Sequence, residues 1–313
     1  MISANTQASA TPVPRSVARK RRKSSRLVGD AERLMPRWAA PIVVGLLLIA
    51  VLVPLGYMLI LSVTPNNDVA LGTITFARLA FDNYVNMWSQ APLASGLVHT
   101  LIIAGIAAIA SAALGLLAAY PLTRFGFKGR NSFLYGLIGF QTVPGTTLLL
   151  PFFAVMSWIQ TTVGLHIIGS YPLIIITYMT FGLPLSTWVL VLYLRAIPRD
   201  LEEAALVDGA SRLGALRRVV LPIALPALVV AFVLAFLVGW NDVLFASVFT
   251  NTSTQTLAIA LQRFSSLQAN TSLPLYGELM AAAVVSAVPV VLIYLIFQRH
   301  LVHGLSAGSL TGV

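Results

Sequence analysis

Apolar residues run along this chain in long blocks, separated by short polar and charged stretches. A helix that crosses a bilayer needs about 20 residues, because it rises about 1.5 Å per residue through a core about 30 Å thick. Residues 38–61 form the first such block. Residues 83–123 then run for 41 positions without Lys, Arg, Asp or Glu, and 95–122 can cross once after a loop containing Pro92. Residues 131–194 form a second charge-free stretch, of 64 residues. One crossing cannot use that length, while two with a polar break at 161–169 can. Residues 218–242 and 278–299 fit one crossing each. The pattern predicts an all-α polytopic membrane protein with six transmembrane helices.

Composition agrees: only 10% of residues are charged and the mean hydropathy is +0.86, far from a soluble chain with about a quarter charged. The net charge of +10 raises the question of nucleic acid, so its placement matters. Nine of the 20 Lys and Arg lie in the first 37 residues, in a Ser-, Thr- and Pro-rich tail without hydrophobic periodicity, the signature of disorder. No folded basic surface with interleaved aromatics is visible, so nucleic acid is not an expected partner. With the N-terminus cytoplasmic and six crossings, 18 of the 20 basic residues fall inside, and only Arg78 and Arg263 fall outside. Positive charge then recurs at every inner loop, as orientation in a cell membrane requires. The expected organisation is a disordered cytoplasmic tail (1–36), a membrane domain (37–300) with a cytoplasmic loop at 196–218, and a cytoplasmic C-terminal tail (301–313). The first block is too long for a signal-peptide core and reads as a retained helix.

The chain holds no cysteine and four scattered histidines. His300 and His303 are spaced i,i+3 without an accompanying carboxylate, which reads as an interfacial helix end, not a metal pair. No GxxxxGK[ST] loop exists to cradle phosphates. No nucleophile, base and orienting group assemble into a catalytic set, so no enzyme, bound cofactor or metal is expected.

Three features of the crossings stand out. Ala107, Ser111, Gly115 and Ala119 form a small-residue stripe at four-residue spacing, which favours close helix packing in lipid. The stretch GFQTVPGTT places Gln141, Thr142, Pro144 and Thr146 inside the third crossing. Lipid satisfies neither the Gln141 amide nor the carbonyl that Pro144 frees, so this stretch is either a hydrogen-bonded kink or the wall of an aqueous path. Phe181-Gly182-Leu183-Pro184 predicts a bend in the fourth crossing. No ionisable side chain sits mid-membrane, where an ion-coupled pump often needs one.

The 196–218 loop continues into the fifth crossing as LEEAALVDGASRLGALRRVVLP, residues 201–222. Pro198 and Asp200 are helix-start residues, and Asp200 with Glu203 has capping-box spacing. Leu201, Ala204, Ala205 and Val207 give an apolar side. Glu202 and Glu203 sit near the helix N-terminus, where the dipole favours them. Gly209 suits a left-handed cap, Ser211 suits a restart, and Arg212, Arg217 and Arg218 lead to Pro222 in the first turns of the fifth crossing. These signals predict a compact helix–turn–helix knob joined to a crossing helix. An isolated helix so short is marginal, so the knob is expected to dock against something.

Glu203-Ala204-Ala205, then Asp208-Gly209-Ala210, then Leu221-Pro222 resembles the EAA loop of the inner-membrane permeases of binding-protein-dependent ABC importers. In that loop EAA is followed after three residues by Gly and, nine residues later, by I-x-L-P. Gly209 and Leu221-Pro222 keep the spacing, with Val219 at the usual isoleucine. Pro184 to Pro198, Gly239-Trp240-Asn241-Asp242 and the ending HGLSAGSLTGV resemble further motifs of the carbohydrate permeases. Together they cover about 36–313 and resemble the second permease of the maltose-type group.

The resemblance implies a type I importer permease fold and no catalysis in this chain. It implies a companion permease, two ATPase subunits that use ATP and Mg2+, and an extracytoplasmic solute-binding protein met by the outer segments around 62–92 and 243–277. The 201–209 helix would couple to the ATPase through Glu203, Ala204, Ala205, Asp208 and Gly209, supported by Arg212, Leu221 and Pro222. The C-terminal tail would reach the ATPase dimer. Gln141, Thr142, Thr146 and Asn241 are the candidates for the translocation path. Trp240, near the outer end of the fifth crossing, reads as an interfacial anchor or as a solute contact. A sugar, di- or oligosaccharide, is the implied cargo. The alternatives are a glycerol-phosphate-type or polyol solute, an ion-coupled secondary transporter, whose paired inverted repeats and ion site are not visible, and a membrane scaffold without transport.

Overall fold

The computed structural model describes residues 39–73, 78–268 and 274–309, with side chains through 298 except Ala40. The basic tail expected at 1–36, the side chains of His300 and His303, and the last four residues lie outside the described residues. Six of the described helices are long and apolar enough to cross a membrane. They fall on the six blocks of the hydrophobic pattern.

Two compact units divide after residue 58. Helix α1 (Ala39–Ser62) begins in the first, and Leu46, Leu47, Leu52 and Val53 expose their side chains around it. A helix apolar all round belongs in lipid or in a large core.

The second unit is built on α4 (Leu93–Arg124), α7 (Tyr171–Ala196) and α10 (Leu221–Trp240), which pack against one another. The small-residue stripe is the contact surface of α4: Ala107, Ser111, Gly115 and Ala119 are all buried. A Cβ added to Gly115 would lie 3.1 Å from both Ser186 Cβ and Thr187 N on α7. One on Gly182 of α7 would lie 3.0 Å from Ser111 Oγ and 3.1 Å from Ala235 Cβ on α10. The three backbones approach because hydrogen stands where a side chain would, and contact packing drives association where lipid is as apolar as the helix faces.

The stretch expected inside the third crossing instead forms a turn before it, since the membrane-long helix starts at Gly145. Helix α5 (Arg130–Gln141) stops at a turn, Pro144 sits in extended conformation, and α6 (Gly145–Val163) follows. Proline disfavours helical conformation in the residue before it and offers no N–H to continue a ladder. Gly164, at φ +74°, ends α6, and the loop to α7, residues 164–170, overlaps the expected polar break.

Two helices, α2 (Asn66–Ala70) and α3 (Asn83–Gln90), precede α4, and two more, α11 (Leu244–Phe249) and α12 (Leu257–Gln268), lie between α10 and α13 (Tyr276–Ser309). Asn83 ties this end together, donating to the carbonyls of Ser62 and Thr64 at 3.0 Å each. Asn66 accepts from the Gly277 amide at 2.9 Å. Thr100 of α4 accepts from the Leu257 amide at 2.8 Å. Under this cover Trp240 is buried at 9% exposure and stacks on Phe236 with ring centroids 5.4 Å apart. It is therefore neither a lipid-facing anchor nor open to solute, because Met87, Leu257 and Ala282 share its cluster. Helix α13 continues through 301–309, the stretch read from sequence as a tail.

Candidate functional site

The predicted knob forms, with one change at its start. Helix α8 (Asp200–Val207) is preceded by Arg199 at the cap position, whose side chain makes no capping bond, so the Asp200–Glu203 capping box is absent. Asp200 is already the first helical residue. There it acts with Glu202 and Glu203 on the helix dipole instead of on a free amide.

The stop is as expected. Gly209 takes φ +86°, the Ala210 amide donates to Ala205 O at 2.9 Å, and the Gly209 amide to Leu206 O at 3.1 Å. This 6→1 and 5→2 pair is a Schellman cap. Ser211 then caps α9 (Arg212–Ala215), its hydroxyl accepting from the Gly214 amide at 3.1 Å. Leu216–Val220 forms a π turn, in which the Leu221 amide bonds Leu216 O, and α10 follows without a break. Pro222 and Pro226 bring no N–H to this stretch, and the wide turn shifts the hydrogen-bond register just before them. The second helix of the knob and the fifth crossing are thus one continuous rod from Arg212 to Trp240, to which α8 is joined by the Gly209 turn.

The two glutamates of α8 face opposite ways. Glu203 is exposed, as are Ala204, Asp208 and Gly209, while Ala205 is half-buried. Glu202 is buried and turned back onto the end of α4. Its Oε1 accepts from the Tyr120 hydroxyl, and its Oε2 lies 2.9 Å from Arg124 Nε, with 5% and 7% of the two side chains exposed. The contact is an ion pair without a well-aimed hydrogen bond. Arg124 also donates to Ile197 O at 3.4 Å through both terminal nitrogens, and Arg199 donates to Thr123 O at 3.0 Å. The Arg212 guanidinium lies 5.1 Å from the centre of the Phe125 ring, which meets Tyr120 edge-on at 5.9 Å. Leu221 is half-buried and Pro222 exposed. None of Glu202, Tyr120, Arg124 and Arg199 was a candidate site residue, although Glu202 was expected near the helix N-terminus. The i,i+4 spacing of Tyr120 and Arg124, at the charged end of a crossing, was the available signal.

The second group of candidates scatters. Gln141 and Thr142 line a cavity of about 410 Å3 between the α5–α6 turn, α7 and the start of α11. Gln141 Nε2 donates to Phe181 O at 3.3 Å, where α7 nears Pro184, so the hydrogen-bonded kink and the cavity wall are the same place. Thr146 is exposed and absent from this lining. Asn241 is exposed and folds back, its Nδ2 donating to Leu237 O at 3.0 Å. Its neighbour Asp242 lines the cavity instead. The Asp242 carboxylate receives the amides of Phe245 at 3.2 Å and Ala246 at 2.9 Å. Burial holds its carboxyl above the usual carboxylate range, against the pull of those amides. Gly239 lies under Tyr178, where a Cβ would fall 2.6 Å from the ring.

Residues 111–307 match the model of a family described as "Binding-protein-dependent transport system inner membrane component". The trehalose/maltose transport system permease protein MalG of Thermococcus litoralis is 32% identical over 279 residues, covering 87% of this chain and 96% of that protein. The trehalose transport system permease protein SugB of Mycobacterium tuberculosis is 34% identical, over 83% of this chain and 93% of that one. Among solved structures, a chain of a bacterial ABC transporter involved in the import of the acidic polysaccharide alginate superposes with TM-score 0.67 at 20% identity. It covers 88% of this chain and 97% of that one.

Proposed function

Because the chain belongs to the inner-membrane components of binding-protein-dependent transport systems, a non-catalytic transmembrane permease family, we propose that it couples ATP use in partner subunits to sugar import. The observation that carries this reading is the α8–α9 knob, whose second helix runs through the π turn into the fifth crossing. Glu203, Ala204, Ala205, Asp208 and Gly209 form the surface that seats on the ATPase, with Arg212, Leu221 and Pro222 joining it to the membrane. Displacement of the knob is passed to a whole crossing helix through the short capped turn at Asp208–Ser211 and the continuous rod that starts at Arg212. Orientation follows charge: both termini and the knob face the cytoplasm. The working assembly holds a companion permease, two ATPase subunits and an extracytoplasmic binding protein, which the segments around 62–92 and 243–277 meet.

A sugar is favoured by the relatives named for trehalose and maltose. It is also favoured over a phosphate-bearing solute because no Lys or Arg lines the 410 Å3 cavity among the described residues, where an anion would call for one. Gln141 and Thr142 lie on the proposed path; Thr146 and Asn241 belong to it only if the exposed surface around the cavity does.

Replacing Glu203 and Gly209 separately, then measuring solute-stimulated ATP hydrolysis and uptake in the reconstituted complex, tests the coupling role. Lost stimulation with intact assembly is expected, and unchanged stimulation and uptake in both variants would sink it. Mass spectrometry of the solute that copurifies with the binding protein identifies the cargo.

A further inference from the structure

Helix α3 (Asn83–Gln90) lies between the first two crossings, and its surface divides into three sectors. The turn starts early, with the Tyr84 amide on Phe81 O at 3.1 Å and the Asn86 amide on Asp82 O at 2.8 Å. At about 3.6 residues per turn, Phe81, Val85 and Trp88 then fall within about 60° of one another. They are 62%, 72% and 41% exposed. Asp82, Asn86, Ser89 and Gln90 form an exposed polar sector beside them. Asn83 and Met87 form the third sector and are buried. A helix set between protein and water needs two faces, one turned to the core and one polar. The apolar stripe of α3 is a face that neither neighbour accounts for.

Packing and hydrogen bonds fix the level at which α3 stands. Asn83 Nδ2 donates to Ser62 O at 3.0 Å, and the Tyr84 and Ser62 hydroxyls bond at 2.7 Å. Ser62 is the residue at which the first crossing ends. At the other end of α3, Met87 shares a buried cluster with Leu93, the first residue of α4. With 32 residues, α4 is about 48 Å long, enough to span a bilayer of about 40–45 Å with its headgroups. Its far end is the one clasped to the knob. Helix α3 is therefore tied at both ends to the places where two crossings leave the bilayer, on the side away from the knob.

We propose that the stripe of Phe81, Val85 and Trp88 is a lipid-contact surface, with α3 lying along the outer interface and these side chains at the boundary of headgroups and acyl chains. Tryptophan is at home at that level, where one part of the ring is apolar and the indole N–H is wet. An amphipathic helix in the membrane plane buries its apolar face about 5–10 Å deep there. No Lys or Arg occurs between residues 79 and 92, so burial of apolar area holds the helix, not attraction to anionic lipid. Two protein occupants suit the stripe less well. Helix contacts within a membrane favour small residues that let backbones approach, and Phe, Val and Trp are not small. A binding protein that docks and departs offers a surface about as polar as the rest of a protein surface. The polar sector of Asp82, Asn86, Ser89 and Gln90 suits such a partner, and it stays open when the stripe is in lipid.

The chain has no cysteine, so single cysteines can carry a nitroxide label. Phe81→Cys, Val85→Cys, Asn86→Cys and Ser89→Cys are each labelled in the complete transporter, in phosphatidylcholine vesicles without binding protein. The wild-type complex taken through the same labelling gives the background from partner subunits, and size-exclusion chromatography checks assembly. Collision of each label with oxygen, which concentrates in lipid, is compared with collision with a water-soluble nickel chelate. The oxygen-to-nickel ratio should be several-fold higher at Phe81→Cys and Val85→Cys than at Asn86→Cys and Ser89→Cys. Equal ratios with free access of nickel to all four sites would put the stripe in water and overturn the proposal. Labels on the stripe shielded from both reagents would mean that the companion permease covers it, which overturns the proposal equally. Each face is read at two sites, so a variant that fails to assemble leaves the comparison to its neighbour on the same face.

Discussion

Arg124 Nε at the end of α4 stands 2.9 Å from Oε2 of Glu202 on the knob, and both side chains are almost wholly buried. With the Tyr120 hydroxyl on Oε1, this pair clasps the knob to a crossing helix that lies far from it in sequence. Breaking one side of a buried pair strands the other charge, which costs about 3–5 kcal/mol. Glu202→Gln is therefore expected to lower the melting temperature of the purified complex sharply. Glu202→Leu combined with Arg124→Met should recover most of the loss, since no lone charge remains. Differential scanning fluorimetry in detergent measures both.

Glu203, one residue on, should behave in the opposite way. It is exposed and has no ion-pair partner among the described residues, so Glu203→Gln should leave melting within about 0.5 kcal/mol of wild type. Its effect should fall on stimulated ATP hydrolysis and uptake. A pair of neighbouring glutamates would then separate clasp from coupling. Equal loss of stability in the two variants would contradict the opposed faces seen here.

Why did the sequence point to a role for Glu203 and not to the clasp made by Glu202? The six crossings were legible because lipid imposes length and hydropathy on each one separately. Gly209 and Ser211 were legible because caps are local chemistry. The stripe from Ala107 to Ala119 was legible as a surface, although its mates, Gly182 and Ser186, were not. Glu202 acquires its meaning from Tyr120 and Arg124, about 80 residues earlier, and no local pattern carries that. Trp240 misled for the same reason: its cover comes from α3, α12 and α13, and an anchor reading considered only its own helix. The Asp200–Glu203 spacing fitted a capping box, but the helix begins one residue early.

Gly209 is a conformational requirement and not a steric one. Its φ is +86°, yet nothing lies within 4 Å of where a Cβ would stand. Gly209→Ala should cost about 1–2 kcal/mol for the left-handed backbone. Gly209→Asn should cost less, because asparagine tolerates that region better, and Gly209→Val should cost more. Melting temperatures ranked Asn, Ala, Val in descending order would support this account.

Gly115 makes the reverse case. It sits inside a regular helix, so its backbone tolerates any side chain, but a Cβ would press on Ser186 Cβ and Thr187 N at 3.1 Å. Gly115→Ala should be accommodated by a shift of a few tenths of an ångström, with a loss of about 1–3 kcal/mol. Gly115→Leu should prevent α4 and α7 from packing. The check is the yield of assembled complex on size-exclusion chromatography, near normal for Ala and lost for Leu.

Asp242 sets a pH dependence whose sign follows from burial. Its carboxyl is held above the ordinary value of 3.8, so the folded chain keeps the proton more strongly than the unfolded chain does. Stability from this group is therefore full below pH 3.8 and declines as pH rises through the raised folded value. Asp242→Asn cannot titrate and retains one oxygen to accept the Phe245 or Ala246 amide. The melting temperature of wild type minus that of the variant should accordingly fall as pH is raised from the ordinary value of 3.8 through the raised folded value. A difference that grows with pH would mean that the ionised carboxylate is the form the two amides favour, with the helix-capping bonds of α11 outweighing desolvation. The comparison needs only melting curves of the two complexes at matched ionic strength, because every other titrating group is common to both.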